Sequence, residues 1–466
     1  MKDLAELISS VLEKAPCWTE ARFHRRRTQS VNVQRGLLKQ AKAQLTSGVG
    51  IRCLVDGAWG FSSTSDLSRG GLEKALRLAH ECAQSLSQMK RASIKVLPPV
   101  SLAQGEFVLE GYQALENMPL EEKLQAVLLA EQQTRKASSA IQTSVCSYNE
   151  QFEDKIILTT DGARAISKLS RNEIRLSAIA SQEGEMAEGQ HTVGRTGPWD
   201  CLFTEKSLSE MSETAARLAV DLLKAPRVPG GMATLILSPA MVGLLSHEAI
   251  GHTVEADFVL SGSIAQGKLG TKVASELVSL ADAGFLAHCP NAGGAILVDD
   301  EGVPSQNTMI IHQGILQSYL HNRETAAFFG VAPTGNARAW LYQDEPLIRM
   351  RNTYVLPGNQ SLQEIIESTE KGYLVDCPLG GQADSTGEFM FGAQKVMQIE
   401  KGKITKTFRG ATISGQAFDV LSTVDAVSKE FTLDLGAGYC GKGQPAKVDA
   451  GGPFIRCRAM LGGVQE

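Results

Sequence analysis

The chain has 466 residues, enough for two to four domains or one large two-lobed enzyme with a sizeable core. Its 46 Lys and Arg against 51 Asp and Glu leave a formal charge of −5, an ordinary soluble balance that gives no support to nucleic-acid binding. No secretory signal and no membrane span are expected, because Met1 to Ile8 is acidic and amphipathic and the longest apolar run, Met232 to Leu245, is broken at Ser238-Pro239.

In chain order, residues 3–14 read as a short amphipathic helix, and 19–34 and 44–62 as strands, the second containing the turn signal Asp56-Gly57. Helical spacing of Leu72, Ala75, Leu76 and Ala79 predicts a helix over 68–88. A similar order then recurs: a helix at 120–137, strands at 139–150, 154–160 and 163–181 with an Asp161-Gly162 turn, and a helix at 205–224. This reads as two loosely similar α+β units. Ala225-Pro226-Arg227-Val228-Pro229-Gly230-Gly231 ends the second, so the expected division is an N-terminal α+β domain at 1–228 and a β-rich domain at 229–466. Short strands are expected at 295–299, 308–311, 315–320, 354–356, 395–400 and 404–408, with helices near 240–260, 323–330, 361–369 and 416–427. The fold class is therefore α+β with a β-dominated second half.

Nine cysteines, an odd number without any C-x-x-C pair, look like reduced thiols, and the expected compartment is the cytoplasm. Most, such as Cys53, Cys146 and Cys201, read as small buried hydrophobes. Cys440 differs, lying in the glycine-rich loop Gly436 to Gln444 beside Lys442, which could favour a thiolate. The one dense basic run, Arg22-Phe23-His24-Arg25-Arg26-Arg27, reads as a strand with a solvated face. No Walker loop, Rossmann fingerprint or G-x-S-x-G elbow occurs.

The chemistry concentrates in His247-Glu248-Ala249-Ile250-Gly251-His252. Two imidazoles with a carboxylate beside the first can hold a zinc ion and supply its general base, which points to metal-assisted hydrolysis. The spacing is one residue longer than the H-E-x-x-H of ordinary zinc peptidases, whose two His share a helix face. On an unbroken α-helix, at about 100° per residue, an i, i+5 pair diverges by about 140°. Gly251 offers a remedy, since a glycine there can end or distort the helix and swing His252 back toward His247. Two unrelated histidines would be the ordinary explanation, but with 8 His in the chain a chance H-E-x-x-x-H has odds on the order of one in a hundred. For the third ligand, Cys440 ranks ahead of Glu255 and His288, an order that local chemistry alone leaves open. Glu255 and Asp257 read more readily as residues that orient an imidazole or face solvent.

Further segments accompany this motif: Gly270 to Glu276, Asp299 to Pro304, Pro333 to Arg338, Arg349 to Tyr354, Gly387-Glu388-Phe389 and Tyr439 to Gln444. With them, the chain from Pro239 onward resembles the TldD half of the TldD/PmbA family of zinc metallopeptidases, proteins once described as modulators of DNA gyrase. Residues 1–225 resemble the family's N-terminal region more weakly. The resemblance implies that His247, His252 and Cys440 bind Zn2+, that Glu248 is the catalytic carboxylate, and that the substrate is an extended, unstructured peptide. It also implies a dimer, either a heterodimer with a PmbA-like subunit or a homodimer. In such a site Glu248 acts as general base on a zinc-bound water, and a β-rich domain can take the peptide as an added strand. Two rivals stand beside this reading: a non-catalytic regulatory or scaffold protein, and a zinc amidase acting on a small molecule.

Overall fold

The computed structural model describes residues 1–89, 94 and 96–463. Its N-terminal half repeats one unit on a single sheet. After helix α1 (Lys2–Leu12), the first round is β1 (Trp18–Gln34), β2 (Leu37–Val55), β3 (Ala58–Thr64) and α2 (Arg69–Ser87). Then come β4 (Gln104–Val108), α3 (Tyr112–Asn117) and α4 (Leu120–Lys136), before a second round of β5 (Ile141–Thr159), β6 (Arg164–Gln182), β7 (Glu185–Thr196) and α5 (Leu208–Leu223). Antiparallel pairing of β1 with β5 fuses the rounds into a seven-stranded sheet of order β3-β2-β1-β5-β6-β4, with β7 also on β6.

Local chemistry accounts for most of these elements. Asp56 and Gly57 both have positive φ, at 48° and 82°, the conformation a tight two-residue hairpin demands between β2 and β3. The apolar face of α2 places Leu72, Ala75, Leu76 and Ala79 against Phe23, Val49 and Ile51. The segments expected at 139–150 and 154–160 are one strand, β5. No Gly or Pro interrupts Asn149 to Asp154, and the polar side chains there find partners across the sheet, including Asn149 with Glu173 and Asp154 with Arg25. Strand β7 was not expected, its polar sequence carrying little strand signal.

The sheet has an apolar face under its helices and a charged face against the C-terminal half. Arg22, His24 and Arg26 project to that second face and are buried, so the solvated face expected of the basic run is corrected. Arg22 donates to the carbonyls of Leu341 and Asp344, and Arg26 to that of Trp340. Arg52 bridges Glu20 and Glu301 at 2.8 and 2.6 Å, Lys155 meets Asp300 at 2.8 Å, and Lys447 meets Glu173 at 2.6 Å. Burial removes water from these charges, so each is stable there only because a carbonyl or carboxylate replaces it.

The second half is built on a ten-stranded sheet. The strands β8 (Gly231–Leu237), Lys371–Ala383, Glu388–Glu400, Lys403–Gln416 and Asp449–Gly462 pair in sequence, and β8 pairs again with the last, closing a five-stranded ring. Expected strand at 295–299 is irregular, contributing only an isolated bridge between Val298 and Pro304, and 315–320 shortens to Ile315–Leu316. The chain is mixed α+β, as its pattern indicated.

Two glycines let the halves touch backbone to backbone. A Cβ on Gly194 of β7 would lie 2.2 Å from the carbonyl oxygen of Gly436, and one on Gly436 would lie 2.1 Å from that of Gly194. Gly436→Ala is therefore expected to lower the thermal midpoint by a few degrees, as overpacking of a closed contact does. Gly70→Ala, where a Cβ meets nothing closer than 4.0 Å, serves as the control and should leave the midpoint unchanged or raised. Equal midpoints for Gly436→Ala and wild type in a thermal melt would show that this contact is not closed.

Candidate metal centre

Strand β8 feeds a helix start at Ser238, whose hydroxyl accepts from the Met241 N–H, and Pro239 opens the first turn of α6 (Pro239–Leu244). The helix then widens into a π-helical segment, Leu245–Gly251. Within it the N–H of His252 donates to the carbonyl of His247, an i to i+5 bond between the two histidines themselves. Residues five apart thus occupy successive turns of one ladder, and their rings stand 5.3 Å apart between centroids.

The helix is distorted here, as expected, through a π-helical widening that ends at Gly251. Gly251 does not break the helix, for its φ of −55° is helical. It is needed for room, since a Cβ there would fall 1.9 Å from Met350 Sδ. A short 3-10 turn, His252–Val254, follows and ends the segment at Glu255.

Cys440 arrives from a hairpin of Tyr439–Lys442 and Gln444–Lys447, turned at Gly443 with φ +70°. Arg349, buried, clamps both strands by donating to the carbonyls of Cys440 at 2.7 Å and Gln444 at 2.6 Å. The Cys440 sulfur lies 3.1 Å from His252 Nε2, and the donor atoms of His247, His252 and Cys440 are all within 4.8 Å of one another. Donors around a tetrahedral zinc, with bonds of about 2.0–2.3 Å, stand roughly 3.3–3.8 Å apart, so small side-chain adjustments bring this set onto an ion. Both ring nitrogens of His247 are buried and, apart from the nearby Cys440 sulfur, have no hydrogen-bond partner among the described residues. An unsatisfied buried imidazole is costly, and a bound cation is the partner this N, N, S donor set suits.

The surroundings tune the three groups. Burial opposes a charge on His252, yet its contacts with Cys440 and Glu255 outweigh that and raise the imidazole to about 10. Burial likewise acts to raise the Cys440 thiol, but His247 and His252 bring it down to about 4, which favours the thiolate that metals bind. Glu255 is fully buried and accepts from His252 Nδ1 at 2.9 Å, which directs Nε2 toward Cys440. Burial would raise its own carboxyl, but His252 and Lys442 hold it below the usual range. Lys442 Nζ spans Glu255 at 3.1 Å and Asp257 at 2.7 Å and sits 4.3 Å over the Phe258 ring.

Glu248 is partly exposed, with Oε2 3.8 Å from His252 Nε2, and it lines a cleft of about 230 Å³ with Phe258, Ser263 and Gly381 to Ser385. Of the residues weighed from sequence, His247, Glu248, His252 and Cys440 come together, and Glu255 joins them through His252 rather than through the donor cluster. His288 is elsewhere, packed on Phe431 at 5.7 Å, and Cys289 packs among Ala281, Leu286 and Tyr354. Sequence reasoning gave no place to Arg349 and assigned Lys442 to the thiolate, whereas Lys442 grips the acids behind His252. The Arg349-Met350-Arg351 run was visible as a motif, but nothing in it told that its first arginine clamps the cysteine hairpin.

Three family models match along the chain: PmbA/TldA metallopeptidase domain 1 over residues 19–83, the central domain over 113–223 and the C-terminal domain over 230–461. A metalloprotease of Methanothermobacter thermautotrophicus is 34% identical, covering 94% of this chain and 93% of its own length. One of Methanocaldococcus jannaschii is 31% identical over 98% and 99%, and a zinc metalloprotease TldD homolog of Saccharolobus solfataricus is 28% identical over 89% of each. Among solved structures, a Thermotoga maritima protein described as a modulator of DNA gyrase superposes with a TM-score of 0.80 at 22% identity, covering 99% of this chain and 100% of that one. TldE from Thermococcus kodakarensis does so with 0.78 at 18%, over 99% of both, and these two share the fold. Family models along both halves, and metalloproteases similar over nearly the full length, establish that the chain belongs to the PmbA/TldD family of metallopeptidases.

Proposed function

We propose that this chain is a zinc metallopeptidase that cleaves extended, unstructured peptides, with Glu248 as its general base. The observation that carries the reading is the convergence of His247, His252 and Cys440 on one point beside the Glu248 carboxylate, at the wall of a cleft. The name of the Saccharolobus relative supports zinc at the family level. Zinc held by these donors would supply Lewis acidity for attack by water on a peptide carbonyl. Glu248 takes the proton of the attacking water and delivers it to the departing amine, a role its exposure to the cleft allows. Glu255 fixes the His252 ring, and Lys442 keeps Glu255 in place.

The cleft also suggests how a peptide lies. Residues Gly381, Gln382 and Ala383 pair with Phe391, Met390 and Phe389 on one side, while among the described residues β8 covers the other side of that strand only at Tyr373 to Val375. The free edge lines the cleft, so an extended substrate can add there through main-chain hydrogen bonds that read little of its side chains. Folded proteins present no such strand. A second subunit, PmbA-like or another copy of the chain, belongs to the same reading. In its support, β2 runs exposed over 37–45 along an edge that pairs only with β1 among the described residues, with Leu37, Leu38 and Leu45 in the open. The cysteines are all free thiols and no helix of the described residues is long and apolar enough to cross a membrane, which agrees with a cytoplasmic setting.

Elemental analysis of the purified protein is expected to give about one zinc per chain, lost to chelators together with peptide cleavage. Cys440→Ala should weaken metal retention far more than Cys289→Ala; equal retention in the two would remove Cys440 from the ligand set. Glu248→Gln should keep zinc while turnover falls by ~10²–10⁴, whereas His247→Ala should lose both. Wild-type turnover in zinc-loaded Glu248→Gln would assign the base to another group. Glu255→Gln is expected to weaken zinc affinity by about 10–100-fold, measured by competition with a chromogenic chelator. Unchanged affinity would mean that the Glu255 contact does not orient His252.

A further inference from the structure

Between the charged face of the N-terminal sheet and the back of the cysteine hairpin lies a largely enclosed space with room for about one or two water-sized particles. Five cationic side chains line it: Arg26, Lys155, Arg171, Arg338 and Lys447. Lys155 is matched by Asp300 and Lys447 by Glu173. Arg26 and Arg171 share the single carboxylate of Glu153, at 3.5 and 2.5 Å. Arg338 has no carboxylate within ion-pair distance among the described residues; it donates only to the carbonyls of Met350 and Lys447, at 2.6 Å each.

The remaining acid on the lining is Asp299, whose oxygens accept backbone N–H groups of Glu301, Val303 and Ala337 and touch no cation among the described residues. With every one of these carboxylates ionised, the five cations still exceed Glu153, Glu173, Asp299 and Asp300 by one charge. Burial and the neighbouring Glu301 act to raise the Asp299 carboxyl, while its three backbone N–H bonds act to lower it. Farther out, Arg52 pairs with both Glu20 and Glu301, Arg22 also acts on Glu20, Asp344 bears on Arg26 as Arg349 does on Arg338, and burial lowers the His24 imidazole to about 4. Burial first, and then the nearby Arg171 and Arg349, pull Arg338 down to about 9 against the opposing effect of Glu153 and Asp300. Arg26, 5% exposed and stacked on Trp340, also keeps its Nε without an acceptor.

We propose that this space is a site for one small monovalent anion, chloride, held between the two halves of the protein by Arg338 and Arg26. A guanidinium can only donate, so both need acceptors, and a halide supplies acceptor and negative charge together. The space, with room for about one or two water-sized particles, suits a small ion. The anion would act on the metal centre from behind. Ala446 and Lys447 on the lining pair with Cys440 and Tyr439 across the hairpin, and Arg338 also holds the Lys447 carbonyl. Chloride thus locks the hairpin to the N-terminal sheet, independently of what the enzyme cleaves.

Crystals of the full chain soaked in sodium bromide and measured at the bromine edge test this. An anomalous peak within about 3.5 Å of the Arg338 guanidinium is expected; bromide found only on the outer surface overturns the proposal. In solution, the thermal midpoint at fixed ionic strength should rise by about 1–2 °C per tenfold increase in chloride replacing gluconate, once the site is partly filled. Identical midpoints in the two salts would also overturn it. Ser167→Leu, which fills the space without removing a charge, and Arg338→Met should each abolish the chloride dependence. If Arg338→Met does not fold, Ser167→Leu alone decides, and retention of the wild-type dependence there places any anion elsewhere.

Discussion

The candidate metal site depends on a hydrogen bond between two histidines' own backbones, the N–H of His252 to the carbonyl of His247. An α-helical ladder would link each residue to its fourth neighbour and turn the two rings apart. The wider ladder costs helical regularity, and it is held by packing: Leu245, Ala249 and Ile250 are buried in the main core while Met350 fills the place a side chain at 251 would need. The same turn sends Glu248, next to the first histidine, toward the cleft instead of the core.

The third donor comes from 188 residues away and depends on a different kind of contact. The cysteine hairpin is short and cannot hold itself. It is gripped by Arg349 from within the C-terminal half, and by Glu173 and the Arg175 contact with Ala437 from the N-terminal sheet. Gly194 and Gly436 close the same junction. The polar face of the N-terminal sheet therefore positions the hairpin that carries Cys440, which ties the two halves of the chain to one chemical task.

Much of this was legible in the sequence where a local rule governs. Asp56-Gly57 marked its hairpin, the spacing of Leu72 to Ala79 marked α2, and Ser238-Pro239 marked the start of the helix before His247. Where long-range contacts decide, it was not. The alternation around Arg22 to Arg26 looks the same whether its polar face meets water or carbonyls, and only the second half of the chain shows which. At Gly251 the direction of the argument was sound, since the histidines do converge, but they do so through the π-helical bond, and the glycine itself is required by Met350, a residue far along the chain. Cys440 stood out by its glycine-rich setting, while its guard Arg349 had no local signal at all.

The most direct test of the central claim is the location of the metal itself. Anomalous diffraction on crystals of the zinc-loaded protein, measured on both sides of the zinc edge, should show one ion bonded to His247, to His252 through Nε2, and to the Cys440 sulfur, with Glu248 facing it from the cleft and Glu255 still on His252 Nδ1. A zinc peak at other donors, such as His288 and Cys289, or an ion that leaves Cys440 uncoordinated, would contradict the account.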